Sequence, residues 1–418
     1  MTSRDRVLAA IQHRETDVVP VDFGGHRSSG IAAIAYARLK KHLGIHSGDI
    51  YVYDMVQQLA IVETAVLDAV GADVVELGRV FMLDDNDWKP WVLPDGTACK
   101  IPAFINVVRH GEDFLLFSDD GVPLAIQKAG CLYFEQIHFP LMDRPFEDDD
   151  FSDLEQALPY TMWTGIATPG GHLPLTGEGL KRLAEGAKAL RATTDRAILG
   201  IFGGSLFEVP QFLYGMETYL EYMALYPEAC VRLSEKLTEF YLARMEKWLA
   251  AVGPYIDIML FGDDLGGQSG PLMSTGMYGR YYKPFHARMW RRAKELAPHI
   301  HTQLHCCGGI EPLLDHLIEA GLDMVNPVQV SCAGMEPQHL KDRFGERFTL
   351  WGGGCDTRVV LPRGTPAAVR EHVLKQVGIL RRGGGFVFQQ VHNIMADVPP
   401  GNIMAMFGAV AEAGGRKI

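Results

Sequence analysis

The chain has no long apolar run. No hydrophobic stretch approaches the roughly 20 residues that cross a bilayer, which argues against a transmembrane helix. It also lacks any Lys/Arg-rich stripe. With 39 basic against 51 acidic side chains the net charge is −12, and an acidic surface repels phosphate backbones, so nucleic acid is not an expected partner. There is no signal-peptide pattern. The opening Met-Thr-Ser-Arg-Asp-Arg starts a charged amphipathic helix, and a cytoplasmic protein is expected. An even cysteine count is missing too. The seven are Cys99, Cys131, Cys230, Cys306, Cys307, Cys332 and Cys355, and in a reducing compartment these are free thiols or metal ligands rather than a disulfide frame. Four of them fall between positions 306 and 355, which is the first hint of a site. No linker, repeat or low-complexity segment divides the chain, and the acidic Asp148-Asp-Asp150 is expected to be a solvated loop.

What is present is a strand–helix alternation. In 418 residues, 47% of them hydrophobic, short apolar runs ending in Gly, Asp or polar residues precede amphipathic stretches. Strands are expected at 197–202, 256–261, 301–306, 324–328, 348–351 and 385–389. Helices are expected at 228–251, 278–296, 311–320, 337–344, 366–380 and 402–412. The helix at 228–251 carries Leu233, Leu237, Phe240, Tyr241, Trp248 and Leu249 on one face. Upstream, 18–22 and 73–77 add two strands, with a helix at 62–70 before the second. Eight strands close a barrel, so the expected fold is α/β, a single (β/α)₈ TIM barrel over residues 1–418. An open doubly wound sheet is the alternative. Residues 80–160, rich in Trp, Pro, Asp and Gly, break the alternation. They are expected to form an antiparallel β insertion after the second strand, beside or over the barrel mouth.

In such barrels the active site lies at the C-terminal strand ends. Polar and soft residues recur there: Asp22-Phe-Gly-Gly25, Gly203-Gly-Ser205, Gly262-Asp-Asp264, His305-Cys-Cys307, Asn326 and Gln329, Gly352-Gly-Gly-Cys355, and Gln389-Gln-Val-His392-Asn393. His305-Cys306-Cys307 is the most specific. In an extended strand residues i and i+2 point the same way, so His305 and Cys307 face the axis together and Cys306 faces away. Imidazole and thiolate side by side suit a borderline-soft cation such as zinc. A third ligand has to come from a neighbouring strand end; the candidates are His392, Cys355, Asp263 and Asp264. The competing reading is a polar strand end without metal. Asp263 and Asp264 are also candidate acids or hydrogen-bond acceptors for substrate, or a turn before Gly266-Gly267. Cys230 and Cys332 are expected as small buried side chains, and Tyr278, Tyr281, Tyr282 and Trp290 as packing residues.

Several motifs in order resemble the uroporphyrinogen decarboxylase superfamily across nearly the whole chain, and within it the corrinoid-dependent methyltransferases. They are Thr2-Ser-Arg-Asp-Arg-Val-Leu-Ala-Ala10, Asp22-Phe-Gly-Gly25, Asp263-Asp-Leu-Gly266 with Gly270-Pro-Leu-Met-Ser274, His305-Cys-Cys-Gly308, Asn326-Pro-Val-Gln329, Trp351-Gly-Gly-Gly354, and Val391-His-Asn-Ile394 with Asp397-Val-Pro-Pro400. The resemblance implies a barrel with its site in the mouth. It also implies a zinc centre held by a His-x-Cys pair, matching His305 and Cys307, and by a later cysteine whose place is taken here by His392. The decarboxylase's arginine-rich N-terminal segment corresponds to Phe23-Gly-Gly-His-Arg-Ser-Ser29, with one arginine, too little charge for a multiply anionic porphyrinogen.

The implied function is methyl transfer from a small methylated compound, a methoxylated aromatic undergoing O-demethylation, to a corrinoid (cobalamin) on a partner protein. No corrinoid-binding Asp-x-His-x-x-Gly segment is present, so a separate corrinoid protein is expected. Zinc at His305, Cys307 and His392 acts as Lewis acid, or, failing metal, Asp264 or His392 donates a proton. Two alternatives are a decarboxylase or other lyase on a non-porphyrin substrate using Asp263 or Asp264, and a non-catalytic binding protein. The oligomeric state is open, with a homodimer among the states available.

Overall fold

Eight strand positions form a ring in the computed structural model, which describes residues 1–416. Seven parallel strands lie side by side in chain order: Val74–Glu76, Ala197–Gly203, Ile258–Gly262, His301–His305, Met324–Asn326, Thr349–Trp351 and Phe386–Val387. The eighth position is residues 20–22. Val21 pairs in parallel with Phe388. The Phe388 N–H donates to the Pro20 carbonyl and the Asp22 N–H to the Phe388 carbonyl, both at 2.8 Å, while on the other side the Asp73 N–H donates to the Val21 carbonyl at 2.7 Å. Pro20 has no N–H to give, so this edge of the ladder is short. These bonds join the first and last strands of the sheet, as expected for a closed barrel and not for an open one.

Strand periodicity sorts the side chains. Val74, Ala197, Leu199, Ile258, Leu260, Met324, Trp351 and Val387 share one apolar cluster with Val7, Ala10 and Ile11 of the helix Ser3–Ile11. The alternate residues Ile198, Met259 and Phe261 belong to the outer core beneath the helices. The N-terminal helix therefore packs against the inner layer of the barrel. Burying its three apolar side chains contributes about 1.5–3 kcal/mol for each of the larger two. Ion pairs seat it: Arg6 reaches Asp17 and the buried Asp73, and Arg4 reaches the buried Asp257.

Four expected helices appear close to their expected bounds, as Pro227–Val252, Glu311–Glu319, Pro337–Phe344 and Pro366–Leu380. The last helix, Pro400–Gly414, runs slightly beyond 402–412. The stretch expected as one helix at 278–296 is two, Thr275–Tyr281 and Lys283–Leu296, because Pro284 cannot donate to the preceding turn. Gly177–Thr193 is a helix that periodicity did not reveal. It follows the strand Val74–Glu76 only after the intervening insertion, so its βα unit is split.

That insertion contains the hairpin Trp88–Val92 with Ala98–Pro102 and a four-stranded antiparallel sheet, Asn106–His110, Asp113–Phe117, Pro123–Gln127 and Glu135–Gln136. Its buried Ile101, Leu116 and Leu124 join the outer core. Tyr133, next to its last strand, donates to Asn393 Oδ1 at 3.3 Å, which places the insertion against the loop that follows the last barrel strand.

Candidate metal centre at the barrel mouth

The strand His301–His305 delivers His305 to the mouth, and the turn after it delivers Cys307. The His305 carbonyl accepts the Asp263 N–H at 2.9 Å, and the Cys306 N–H donates to the Asn326 carbonyl at 2.7 Å. Beyond that point, side chains take over the backbone bonds. The Cys307 N–H donates to Asp264 Oδ1 at 2.6 Å and the Gly308 N–H to Gln329 Oε1 at 2.9 Å. Gly308 has φ +93° and a Cβ there would lie 2.2 Å from the Gly266 carbonyl carbon, so only glycine fits the turn that presents Cys307.

The result is a compact donor set. Cys307 Sγ lies 3.5 Å from His305 Nε2. The His305 and His392 rings are 5.8 Å apart at their centroids. One ligand atom from each of His305, Cys307 and His392 lies within 4.8 Å of the others, and all three residues are half-buried. Cys306 points elsewhere: it is buried and its sulfur accepts the Leu265 N–H at 3.2 Å.

The remaining candidates separate from this set. Asp264 borders it, with Oδ1 3.7 Å from His305 Nε2. Asp263 is fully buried. It accepts the backbone N–H groups of Leu206, Phe207 and Glu208 and hydrogen-bonds His286 Nε2 at 3.1 Å, which anchors the start of the helix Glu208–Tyr214. Its lone pairs are spent on structure. Cys355 is also fully buried, beside Gln390, and takes no part in the donor set.

A hydrogen-bond chain fixes the ligand tautomer. Asn326 Nδ2 donates to the Trp351 carbonyl at 3.1 Å and to Gln389 Oε1 at 2.5 Å. Its Oδ1 is thereby identified as the acceptor facing His305 Nδ1 at 2.9 Å. His305 then carries its proton on Nδ1, and the Nε2 lone pair faces Cys307. Gln389 in turn donates to Ser28 Oγ at 3.0 Å and bonds His26 Nε2 at 3.2 Å. Burial, with His305 alongside, holds His392 down to about 4, so its imidazole is neutral at ordinary pH. Two imidazoles and one sulfur converging on a point are a zinc-type donor set, with a bound second partner of the kind metal histidines use.

Two further carboxyl groups nearby, the half-buried Glu208 and the buried Asp22, escaped sequence reasoning. Glu208 is pushed well above its ordinary value by burial, with Asp264 and Asp263 adding repulsion. Asp22, quoted only as part of a motif, is fully buried, accepts the Trp351 indole N–H at 2.9 Å, and is raised to about 6 by burial. Neither had a local signature beyond sitting near a strand end.

Comparison with known proteins adds the following. The profile of the family described as uroporphyrinogen decarboxylase (URO-D) matches residues 164–413. No curated protein matches the chain. Among solved structures, a methyltransferase from Methanosarcina mazei superposes with TM-score 0.57 at 16% identity, covering 99% of each chain. A psychrophilic glycoside hydrolase family 10 endo-beta-1,4-xylanase reaches TM-score 0.34 at 10% identity, over 52% of this chain and 71% of its own. Among the described residues, no helix is long and apolar enough to cross a membrane.

Proposed function

The chain belongs to the uroporphyrinogen decarboxylase family, and from that premise we propose that it is a methyltransferase. It would move a methyl group from the oxygen of a small methylated compound, of the methoxylated aromatic class, to a corrinoid (cobalamin) carried by a partner protein. The carrying observation is the convergence of His305, Cys307 and His392 at the mouth, with the His305 lone pair aimed inward by Asn326. The fold-wide likeness to the Methanosarcina mazei methyltransferase supports the same reading.

His305, Cys307 and His392 would hold zinc, with His392 where the resembled enzymes place a cysteine. When bound, the corrinoid supplies the nucleophile and the zinc a Lewis acid for the departing oxygen. The chain's own residues do the rest. Asn326 and Gln389 keep His305 in its ligating tautomer. The O–CH₃ bond breaks, the methyl leaves without the bonding pair, and the oxygen keeps that pair and takes a proton. Asp264, at the border of the donor set, is the side chain placed to hold that proton, whereas Asp263 positions the neighbouring helix.

A lyase acting on a non-porphyrin substrate is the second reading. It is favoured by Glu208, whose carboxyl is pushed well above its ordinary value by desolvation and by Asp264 and Asp263, the direction that suits a group returning a proton to a carbanion. Elemental analysis separates the two. Stoichiometric zinc in the wild type and its loss in Cys307→Ala is the expected result. Absence of zinc after metal-replete expression overturns the metal-assisted reading, and CO₂ release without methyl transfer replaces it with the lyase. Within the methyl-transfer reading, Asp264→Asn lowers turnover by roughly 100-fold, the lower end for a lost general acid.

A further inference from the structure

His305 is not the only histidine of the donor set with an asparagine beside it. Asn393 follows His392 directly and is 1% exposed. Its amide is held from two directions. Nδ2 donates to Gln57 Oε1 at 3.1 Å, and Oδ1 accepts the Tyr133 O–H at 3.3 Å. The Tyr133 hydroxyl also lies 2.5 Å from Met395 Sδ, but a thioether is the weaker acceptor, so the amide oxygen is the better place for its proton. Distant parts of the chain place both holders. The Gln57 N–H donates to Asp54 Oδ1 at 2.8 Å, and Asp54 is the ion-pair partner of Arg27 in the 22–29 loop. Tyr133 belongs to the antiparallel insertion, just before its strand Glu135–Gln136. Burial lowers the hold of the His392 imidazole on a proton, and a side-chain hydrogen bond with Asn393 works against that. This is the direction expected when the amide oxygen accepts a ring N–H.

The arrangement repeats the one behind the other imidazole. His305 gives its N–H to Asn326 Oδ1, and Gln389 Oε1 takes Asn326 Nδ2. His392 adjoins Asn393, and Gln57 Oε1 takes Asn393 Nδ2. In each case a glutamine decides which end of the asparagine amide is left for the ring. A neutral imidazole has one N–H and one lone pair, so an acceptor that claims the N–H leaves the lone pair on the other nitrogen. Metal-binding histidines are commonly oriented in this way by their second nitrogen.

We propose that Asn393 is a positioning residue for His392: it takes the ring N–H and leaves the lone pair of the other nitrogen free, and the insertion, through Tyr133, helps to hold it in place. That the free lone pair serves zinc rests on the function proposed above; the tautomer that Asn393 imposes does not.

Two readouts on the full chain test this. The first needs no metal. It is long-range nitrogen-15 NMR of the zinc-free, histidine-labelled protein, with His392 assigned by its loss in His392→Gln. The wild type is expected to show His392 as one neutral tautomer. Asn393→Leu should turn it into a mixture, Asn393→Asp, which keeps an acceptor, should restore the single form, and the His305 signals should hold in both. The second readout is zinc affinity by chelator competition, with the visible absorption of the cobalt(II)-loaded chain. Asn393→Leu should weaken zinc roughly 10–100-fold and shift the cobalt bands, while Tyr133→Phe, which leaves Gln57 in place, should weaken zinc by less than about tenfold. Where Asn393→Leu does not fold, Gln57→Leu, which frees the amide to turn, is read by the same criteria. An unchanged His392 tautomer in these variants overturns the proposal, and so does zinc binding equal to wild type. Tyr133→Phe equal to wild type in both readouts overturns the part given to the insertion. A wild type that binds no zinc, with the tautomer responding as expected, upholds the positioning role and sinks the metal reading.

Discussion

The two sides of the 22–29 loop differ in how their polar groups are satisfied. Around His305 itself the polar atoms are spoken for: Asn326 bonds His305, Trp351 and Gln389, Gln389 bonds Ser28 and His26, and Asp264 and Gln329 hold the Cys307-Gly308 turn, while the amide of Gln303, two residues earlier on the strand, has no partner. Toward Arg79, the buried Tyr53 hydroxyl has no partner and the guanidinium makes one long hydrogen bond to a carbonyl. A metal ion brings no hydrogen bonds and demands fixed donor positions, so its site must be pre-organised.

Substitutions can break that contrast. The largest effect is expected from His305→Ala, which removes a donor outright. Zinc affinity, read by competition with a chromophoric chelator, should fall beyond the roughly 10–100-fold that outer partners are worth. Next comes Asn326→Leu, which keeps the donor and removes only its orientation. Zinc affinity should fall within that 10–100-fold range, while Asn326→Asp, retaining an acceptor for Nδ1–H, should recover part of it. Equal zinc affinity in wild type and Asn326→Leu would show that the chain of bonds is packing alone.

The Arg79 side predicts a pH effect. The carboxyl of Glu76 is raised from its ordinary 4.5 to about 7 in the folded chain, chiefly by burial. Its neutral form therefore favours folding. The contribution is complete below pH 4.5 and is lost as pH rises through 7, on the order of 3 kcal/mol in total. Glu76→Gln should flatten the denaturation free energy over that window; an unchanged slope would show that Glu76 is solvated. The smallest effect sharpens the comparison within one dipeptide. Asp263→Asn should cost about 2 kcal/mol by removing a charged acceptor from three backbone amides, whereas Asp264→Asn should stay within about 0.5 kcal/mol. Chemical denaturation of both variants checks this.

Much of the barrel was legible because each strand is a short apolar run and each helix an amphipathic one. The exceptions have tertiary causes. Gly177–Thr193 contains Gly177, Gly179 and Gly186, which weaken its helical signature. Gly186 is needed because a Cβ there would lie 2.5 Å from the Phe81 ring, a contact between segments a hundred residues apart. The break at Tyr282 was overlooked although Pro284 announces it. For the site, pairing His305 with Cys307 followed from the two-residue strand period. Choosing among His392, Cys355, Asp263 and Asp264 did not. Each ends a different strand or adjoins one, and no local pattern says which ends converge.

Local chain geometry alone set the barrel count, the inward and outward faces of its strands and the nearness of an imidazole at one strand end to a thiol in the turn after it, because these depend on residues a few positions apart. Closure of the ring through residues 20–22 decided the rest. It brought His392 and not Cys355 to the pair, and turned Asp263 into a backbone anchor while leaving Asp264 at the rim. Those outcomes depend on which distant strand ends meet, and only the packed barrel specifies that.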